Sequence, residues 1–195
     1  MSIKSLSQFP QASLLASGLQ GKVYAIGLDM VLKTVSKPVV WETFNDGLLP
    51  AEVLAIKWAN TFNNLVVQFK DHNLVNKVHI IALERLFPCL PTAFSKEEIA
   101  AAIEVAESQL DELWASGWAH GDLKRPTEFV GHNPMLLFNN IMLTESNGTC
   151  VIRLVDLGCS MLEQYDENDL IEGYIVNDKD DWKDFKDWIL NYPRD

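Results

Sequence analysis

The chain is short of basic residues, of cysteine and of long apolar runs. Sixteen Lys and Arg stand against 27 Asp and Glu, a formal net charge of -11, which disfavours non-specific binding to nucleic acid. The last 40 residues, Asp156 to Asp195, hold twelve carboxylates and four Lys or Arg. That end reads as a solvated acidic surface or as a face for a basic partner. Three cysteines, Cys89, Cys150 and Cys159, show no paired metal-ligand spacing and are expected as reduced core or near-core thiols in a reducing compartment. No apolar run approaches 18 residues, so no transmembrane segment is expected. Residues 1–11 lack the long apolar segment of a Sec-type leader. What is present is a chain of 195 residues, 48% hydrophobic, enough for one domain or for two small lobes sharing a cleft.

The apolar pattern predicts strands at 14–17, 22–26 and 30–34, punctuated by Gly18, Gly21 and Gly27. Residues 36–49, with Pro38, Gly47 and Pro50 as breakers, read as loop. Pro50 precedes a helix over 51–62. Residues 65–69 and 77–83 read as strands joined by a turn-rich link at 71–76. Ser95 and Glu98 form a capping-box pattern. Behind it Ile99, Ile103, Ala106, Leu110 and Leu113 recur at helical spacing, predicting a helix over 95–116 that Gly117 ends. Residues 141–144 and 151–155 read as a hairpin about Asn147-Gly148. Trp182, Phe185, Trp188 and Ile189 give a last helix over 180–190.

Chemistry concentrates between His120 and Gly158. Asp156 ends an apolar strand and has glycine two residues on, so its carboxylate is expected at a strand edge, able to coordinate Mg²⁺ on nucleotide phosphates. Asn140 precedes the partner strand, and the hairpin can bring its amide oxygen to the same cleft. Asp122, in the loop after the long helix, can accept a proton from a hydroxyl. Lys124, two residues later, can offset charge on a phosphoryl group in transfer. His120 is expected to prop this loop rather than act as a base.

In this order these residues resemble the protein-kinase-like superfamily. His120-Gly121-Asp122-Leu123-Lys124 resembles its catalytic loop, Asn140-Ile141-Met142-Leu143 its asparagine and following strand, and Asp156-Leu157-Gly158 its metal-binding Asp-Phe-Gly. The resemblance implies further residues upstream. Gly18, Gly21 and Val23 match the glycine-rich phosphate loop. Lys33 in Val31-Leu32-Lys33 matches the lysine that grips the α and β phosphates. Glu52 is its implied ion-pair partner, and Glu84 and Leu86 lie where backbone groups would cradle adenine.

The implied fold class is α+β, a bilobal kinase-like fold with a five-stranded antiparallel N-lobe (about 12–86) and a reduced helical C-lobe (87–195), in a single domain spanning 1–195. The implied catalytic set is Asp122, Lys124, Lys33 and Glu52, with Asn140 and Asp156 as metal ligands. The implied cofactors are ATP and Mg²⁺ or Mn²⁺. The implied reaction is transfer of the γ-phosphoryl to a Ser or Thr hydroxyl of a protein substrate. Alternatives from other classes are a non-catalytic kinase-fold scaffold for a partner protein and a small-molecule phosphotransferase or ATPase.

Three departures qualify the match. Asp122 and Asn140 are 18 positions apart, much farther than in that family, so an insertion near 125–138 is expected, either as a substrate or partner surface or as an inert bulge. Gly121 stands where the family commonly has arginine, which argues against switching by phosphorylation of an activation segment. Only 37 residues follow Gly158, too few for the usual helical lobe. In size and layout the chain resembles the small kinases that pathogenic bacteria inject into host cells. That likeness implies chemistry in a cytosol, a host protein as substrate and an activating host protein, and leaves the oligomeric state open.

Overall fold

The computed structural model describes residues 8–17, 21–36, 38, 40–43, 47–124 and 137–193. Its first half is an antiparallel sheet. Strands β1 (Ser13–Ser17), β2 (Gly21–Ile26) and β3 (Met30–Val35) form a meander. A short hairpin follows, β4 (Val40–Thr43) with β5 (Gly47–Pro50). Then come helix α1 (Ala51–Ala59) and strands β6 (Phe69–Val75) and β7 (Val78–Glu84). The five-stranded sheet has the order β1-β2-β3-β7-β6. Its faces alternate as the pleat requires. Leu32, Ile80 and Ala82 pack on one side with Ile26 and Met30. Val35, Ile81 and Leu83 join the main core on the other.

Two parts of this half differ from the sequence reading. The breaker-rich stretch 36–49 holds the β4–β5 hairpin; its glycine and prolines sit at the strand margins, where they disturb no ladder. The apolar run at 65–69 marks burial rather than sheet membership. Leu65, Val66 and Val67 are at most 3% exposed, and they run beside the end of β10. There Leu65 O accepts from Leu154 N at 2.8 Å and Val67 N donates to Leu154 O at 2.9 Å. The strand starts at Phe69 and includes the polar residues predicted as a link, because β6 is the edge of the sheet and presents polar groups to water. It turns into β7 at Asn76 and Lys77, both with positive φ (51° and 66°), the pattern of a two-residue hairpin turn.

The second half is helical with small strand pairs. Helix α2 (Lys96–Ala115) carries the predicted capping box, with Ser95 Oγ accepting from Glu98 N at 3.1 Å and Glu98 Oε2 from Ser95 N at 2.7 Å. β8 (Trp118–Ala119) pairs with β11 (Met161–Leu162). β9 (Ile141–Ser146) and β10 (Thr149–Leu154) form the predicted hairpin, turning at Asn147 (φ 52°) and Gly148 (φ 75°). Helix α3 (Ile171–Leu190) begins nine residues before the predicted start. Its stripe of Trp182, Phe185 and Ile189 continues back to Asp178, and all four are at most 2% exposed. Among the described residues there are thus three α-helices and one five-stranded antiparallel sheet, a mixed α+β architecture, and no helix is long and apolar enough to cross a membrane. Trp114 and Trp118 are buried. All three cysteines are free; Cys150 is buried and Cys89 partly so, but Cys159, at the end of the 3-10 turn Leu157–Cys159, is exposed rather than near the core.

Candidate functional site

The site forms where β3, α1 and the segment after β10 meet. Lys33 lies on β3 opposite Val23 of β2 and Ile81 of β7, and paired residues share a sheet face. Its side chain is therefore aimed at α1, whose first turn carries Glu52. Lys33 Nζ donates to Glu52 Oε1 and to Asp156 Oδ1, each at 2.6 Å. Lys33 and Glu52 are 8% and 5% exposed, whereas the Asp156 side chain is 45% exposed. Burial pulls the Lys33 pKa down, but Glu52 and Asp156 together outweigh it, so the pKa ends raised and the ammonium is held charged. Burial raises the Glu52 pKa against the pull of Lys33.

Asp156 adopts a left-handed backbone conformation (φ 59°, ψ 64°), which is unfavourable for a residue with a Cβ. It opens a 3-10 turn over Leu157–Cys159, so the chain bends sharply at the carboxylate instead of extending β10. Asn140 lies alongside: its backbone oxygen accepts from Val155 N at 3.0 Å. The Asn140 Nδ2 donates to Asp122 O at 2.7 Å and to Asp122 Oδ2 at 3.1 Å. The two residues therefore meet across the 18 positions that separate them in sequence. Asn140 is 1% exposed, and its Oδ1 is buried with no hydrogen-bond partner.

That orphaned oxygen bears on a metal. Among the described residues no group of three His, Cys, Asp or Glu side chains gathers as a metal site. Asp156 and Asn140 instead offer hard oxygen donors from two residues. Such a set suits Mg²⁺, which binds through one or two protein oxygens plus phosphates and water.

Below the cleft His120 is fully buried, and burial pushes its pKa down to about 4. The neutral ring donates from Nε2 to Val155 O at 2.9 Å. It is a prop between the two loops, as expected. Gly121 has φ +75°, and a Cβ there would lie 2.4 Å from Cys159 O. No side chain fits, which gives a steric reason for glycine at this position. Ser160 Oγ donates to His120 O at 3.2 Å. Partial burial, Asp122 and Asp156 all hold the Cys159 thiol above its ordinary pKa, so it stays protonated and is a poor nucleophile.

The remaining predicted residues fall out as follows. Gly21 opens β2 so close to β3 that a Cβ would overlap Thr34 O at 1.7 Å; its smallness serves strand packing. Gly18 and residues 125–136 of the expected insertion, with the substrate or partner surface proposed there, lie outside the described residues. Lys124 Nζ pairs with Asp184 of α3. Glu84 N donates to Gln68 O at 2.9 Å, so that amide is engaged. Its carboxylate accepts from Gln68 N at 2.6 Å and pairs with Arg153 of β10, a tie between β7 and β10 that sequence reading did not find. Leu86 is partly buried against the main core.

One site residue escaped the sequence. Asp178, on α3, is 1% exposed. It accepts from His120 N at 2.6 Å, Gly121 N at 2.9 Å and Trp114 Nε1 at 3.4 Å. Burial pushes its pKa up to about 6 despite those three donors. It fixes the backbone that presents Asp122. The signal was available: Asp178 occupies a core position in the stripe of Trp182, Phe185 and Ile189, and a buried carboxylate on an apolar face must be satisfied by something.

No family model and no curated protein matches the chain.

Proposed function

We propose that the protein is an ATP- and Mg²⁺-dependent protein kinase with a bilobal kinase-like fold, transferring the γ-phosphoryl to a Ser or Thr hydroxyl of a protein substrate. One observation carries the reading: Lys33 binds both Glu52 and Asp156 at 2.6 Å, while Asn140, buried beside Val155, holds Asp122. Five polar residues spread over more than 120 positions thus form two bonded groups, joined by the backbone bond from Val155 N to Asn140 O. Three of them, Lys33, Glu52 and Asn140, are buried at a desolvation cost that packing alone does not explain.

In this reading Lys33 holds the α and β phosphates, kept in place by Glu52. Asp156 and Asn140 hold the metal, which neutralises phosphate charge when bound. Asp122, oriented by the Asn140 amide, accepts the proton of the attacking hydroxyl. The adenine lies against the segment of Glu84 and Leu86. Because the Glu84 amide is engaged by Gln68, base recognition falls to the Glu84 carbonyl and to Leu86. The likeness to injected bacterial kinases supports a host protein as substrate, and a small C-lobe with little framework to hold a cleft closed supports a host activator.

The test is transfer of labelled phosphate from ATP to lysate protein. Wild-type protein labels a band, and Asp122→Asn and Asp156→Asn each abolish it. Labelling that persists in both variants sinks the proposal. Label found only in small molecules or as free phosphate assigns the small-molecule kinase or ATPase reading. One observation favours a second class, a non-catalytic scaffold for a partner protein: Lys124 is tied to Asp184. Absence of a thermal shift with Mg·ATP, together with no transfer to any acceptor, selects it.

A further inference from the structure

The distance in sequence between Asp122 and Asn140 poses a physical problem. Thirteen residues, 125–137, separate Lys124 from Phe138. The entropy of closing such a loop grows only slowly with its length, so length alone does not prevent the ends from meeting. Nothing in a loop by itself, however, fixes where its two ends sit relative to each other. A carboxylate and an amide that must meet within hydrogen-bond reach need both ends anchored to the same rigid element.

Helix α3 touches both ends. On the entering side, Asp181 accepts the Lys124 amide and Asp184 takes the Lys124 ammonium. On the leaving side, Phe138 is 4% exposed. Its ring meets Phe185 edge-on at 5.5 Å and Trp188 at 5.4 Å. Phe138 O then accepts from Ile141 N at 2.9 Å, a turn that carries Asn140 away from the aromatic anchor toward Asp122. Asp181, Asp184, Phe185 and Trp188 recur at three- and four-residue spacing, so they line one side of a single helix.

We propose that α3 is a splint, whose Asp181 and Asp184 clamp the start of the long excursion and whose Phe185 and Trp188 clamp its end at Phe138, so that Asp122 and Asn140 are held in register. Phe138 and Asp184 are positioning residues: they act through Asn140 and Lys124. The proposal gives the excursion fixed ends, whatever lies between them. It rests on the kinase reading for its consequence, since a displaced Asn140 loses metal, but the splint itself is a statement about structure and has its own readout.

The experiment compares wild type with Phe138→Ala, the milder Phe138→Leu, Asp184→Asn and a control, Ile103→Ala, which empties a core position on α2 away from the splint. Binding of a non-hydrolysable ATP analogue is titrated with and without Mg²⁺. Amide hydrogen exchange is followed in segments 120–124 and 138–142. Phe138→Ala is expected to raise the Mg²⁺ needed for half-maximal analogue binding about tenfold, the scale for loss of a residue that orients a metal ligand. Metal-free affinity stays within about twofold, because Lys33 and Glu52 are untouched. Phe138→Leu falls between, and Ile103→Ala leaves the Mg²⁺ requirement unchanged. If wild type binds and the Phe138 variants shift that requirement no more than Ile103→Ala does, the splint is overturned. If wild type shows no Mg²⁺-dependent binding, the kinase reading fails and hydrogen exchange decides the splint. Faster exchange at 120–124 in Phe138→Ala than in Ile103→Ala upholds it, and equal exchange overturns it. Should Phe138→Ala fail to fold, Phe138→Leu and Asp184→Asn are read by the same two measurements.

Discussion

Replacing Asp178 by asparagine separates the charge of this buried group from its shape. Burial raises the pKa of the folded carboxyl to about 6, against an ordinary value of 3.8. The sign is the reverse of the usual surface carboxylate. Between those two values the native state binds more protons than the unfolded state, so stability falls as pH rises. The contribution is complete below about pH 4 and lost through about pH 6. The gap of roughly two pKa units corresponds to about 3 kcal/mol.

Asparagine carries no charge and removes that slope. It also puts an amide N–H against one of the donors that the carboxylate now accepts from His120, Gly121 and Trp114, and a buried unsatisfied donor costs about 1–3 kcal/mol. Near neutral pH the two effects offset each other, and Asp178→Asn is expected within about 2 kcal/mol of wild type. At pH 4 the variant is expected to be the less stable by about 1–3 kcal/mol. Urea unfolding of both proteins at half-unit steps from pH 4 to 7.5 gives the difference directly, and Glu52 and the other carboxyls cancel in it. Parallel stability curves across that range would refute the assignment of a titrating carboxylate to position 178.

Three further expectations follow from the geometry. Lys33→Met leaves Glu52 buried without its cation; loss of one partner of a buried pair costs about 3–5 kcal/mol, and Lys33→Met with Glu52→Leu recovers most of it in urea unfolding while analogue binding stays lost. Gly121→Ala, forced to φ +75° with a Cβ 2.4 Å from Cys159 O, is expected to destabilise by at least about 1–2 kcal/mol, read as a lowered Tm. Ser95→Ala removes one half of the capping box of α2 and is expected to cost about 1 kcal/mol with analogue affinity unchanged.

Much of the fold was legible because it is written in local rules. The meander of β1 to β3, the capped helix α2 and the hairpin about Asn147-Gly148 follow from glycine placement, a Ser-x-x-Glu pair and helical spacing. Failures came where burial and periodicity part company. Leu65 to Phe69 looked like a strand because it is apolar, yet its first three residues are buried beside β10 and the real strand carries Lys70, Asp71, His72 and Asn73 along the sheet edge. The expected ion pair of Lys33 with Glu52 is present, whereas the bonds of Lys33 to Asp156 and of Asn140 to Asp122 are contacts that the sequence reading does not contain. What a linear reading could not supply is the role of α3. Asp178, Asp184 and Phe185 act through residues 47 to 64 positions away, and no local pattern encodes such a partnership.

The packing of Gly121 against Cys159, with Ser160 bonded to His120 and β8 paired to β11, welds the loop bearing Asp122 to the turn that follows Asp156. These two carboxylates therefore travel as one block, and a hinge between them is sterically closed. The block meets β3 through the ion pair of Lys33 with Asp156, whose carboxylate side chain is 45% exposed, so water and dissolved cations reach this tie from the Asp156 side.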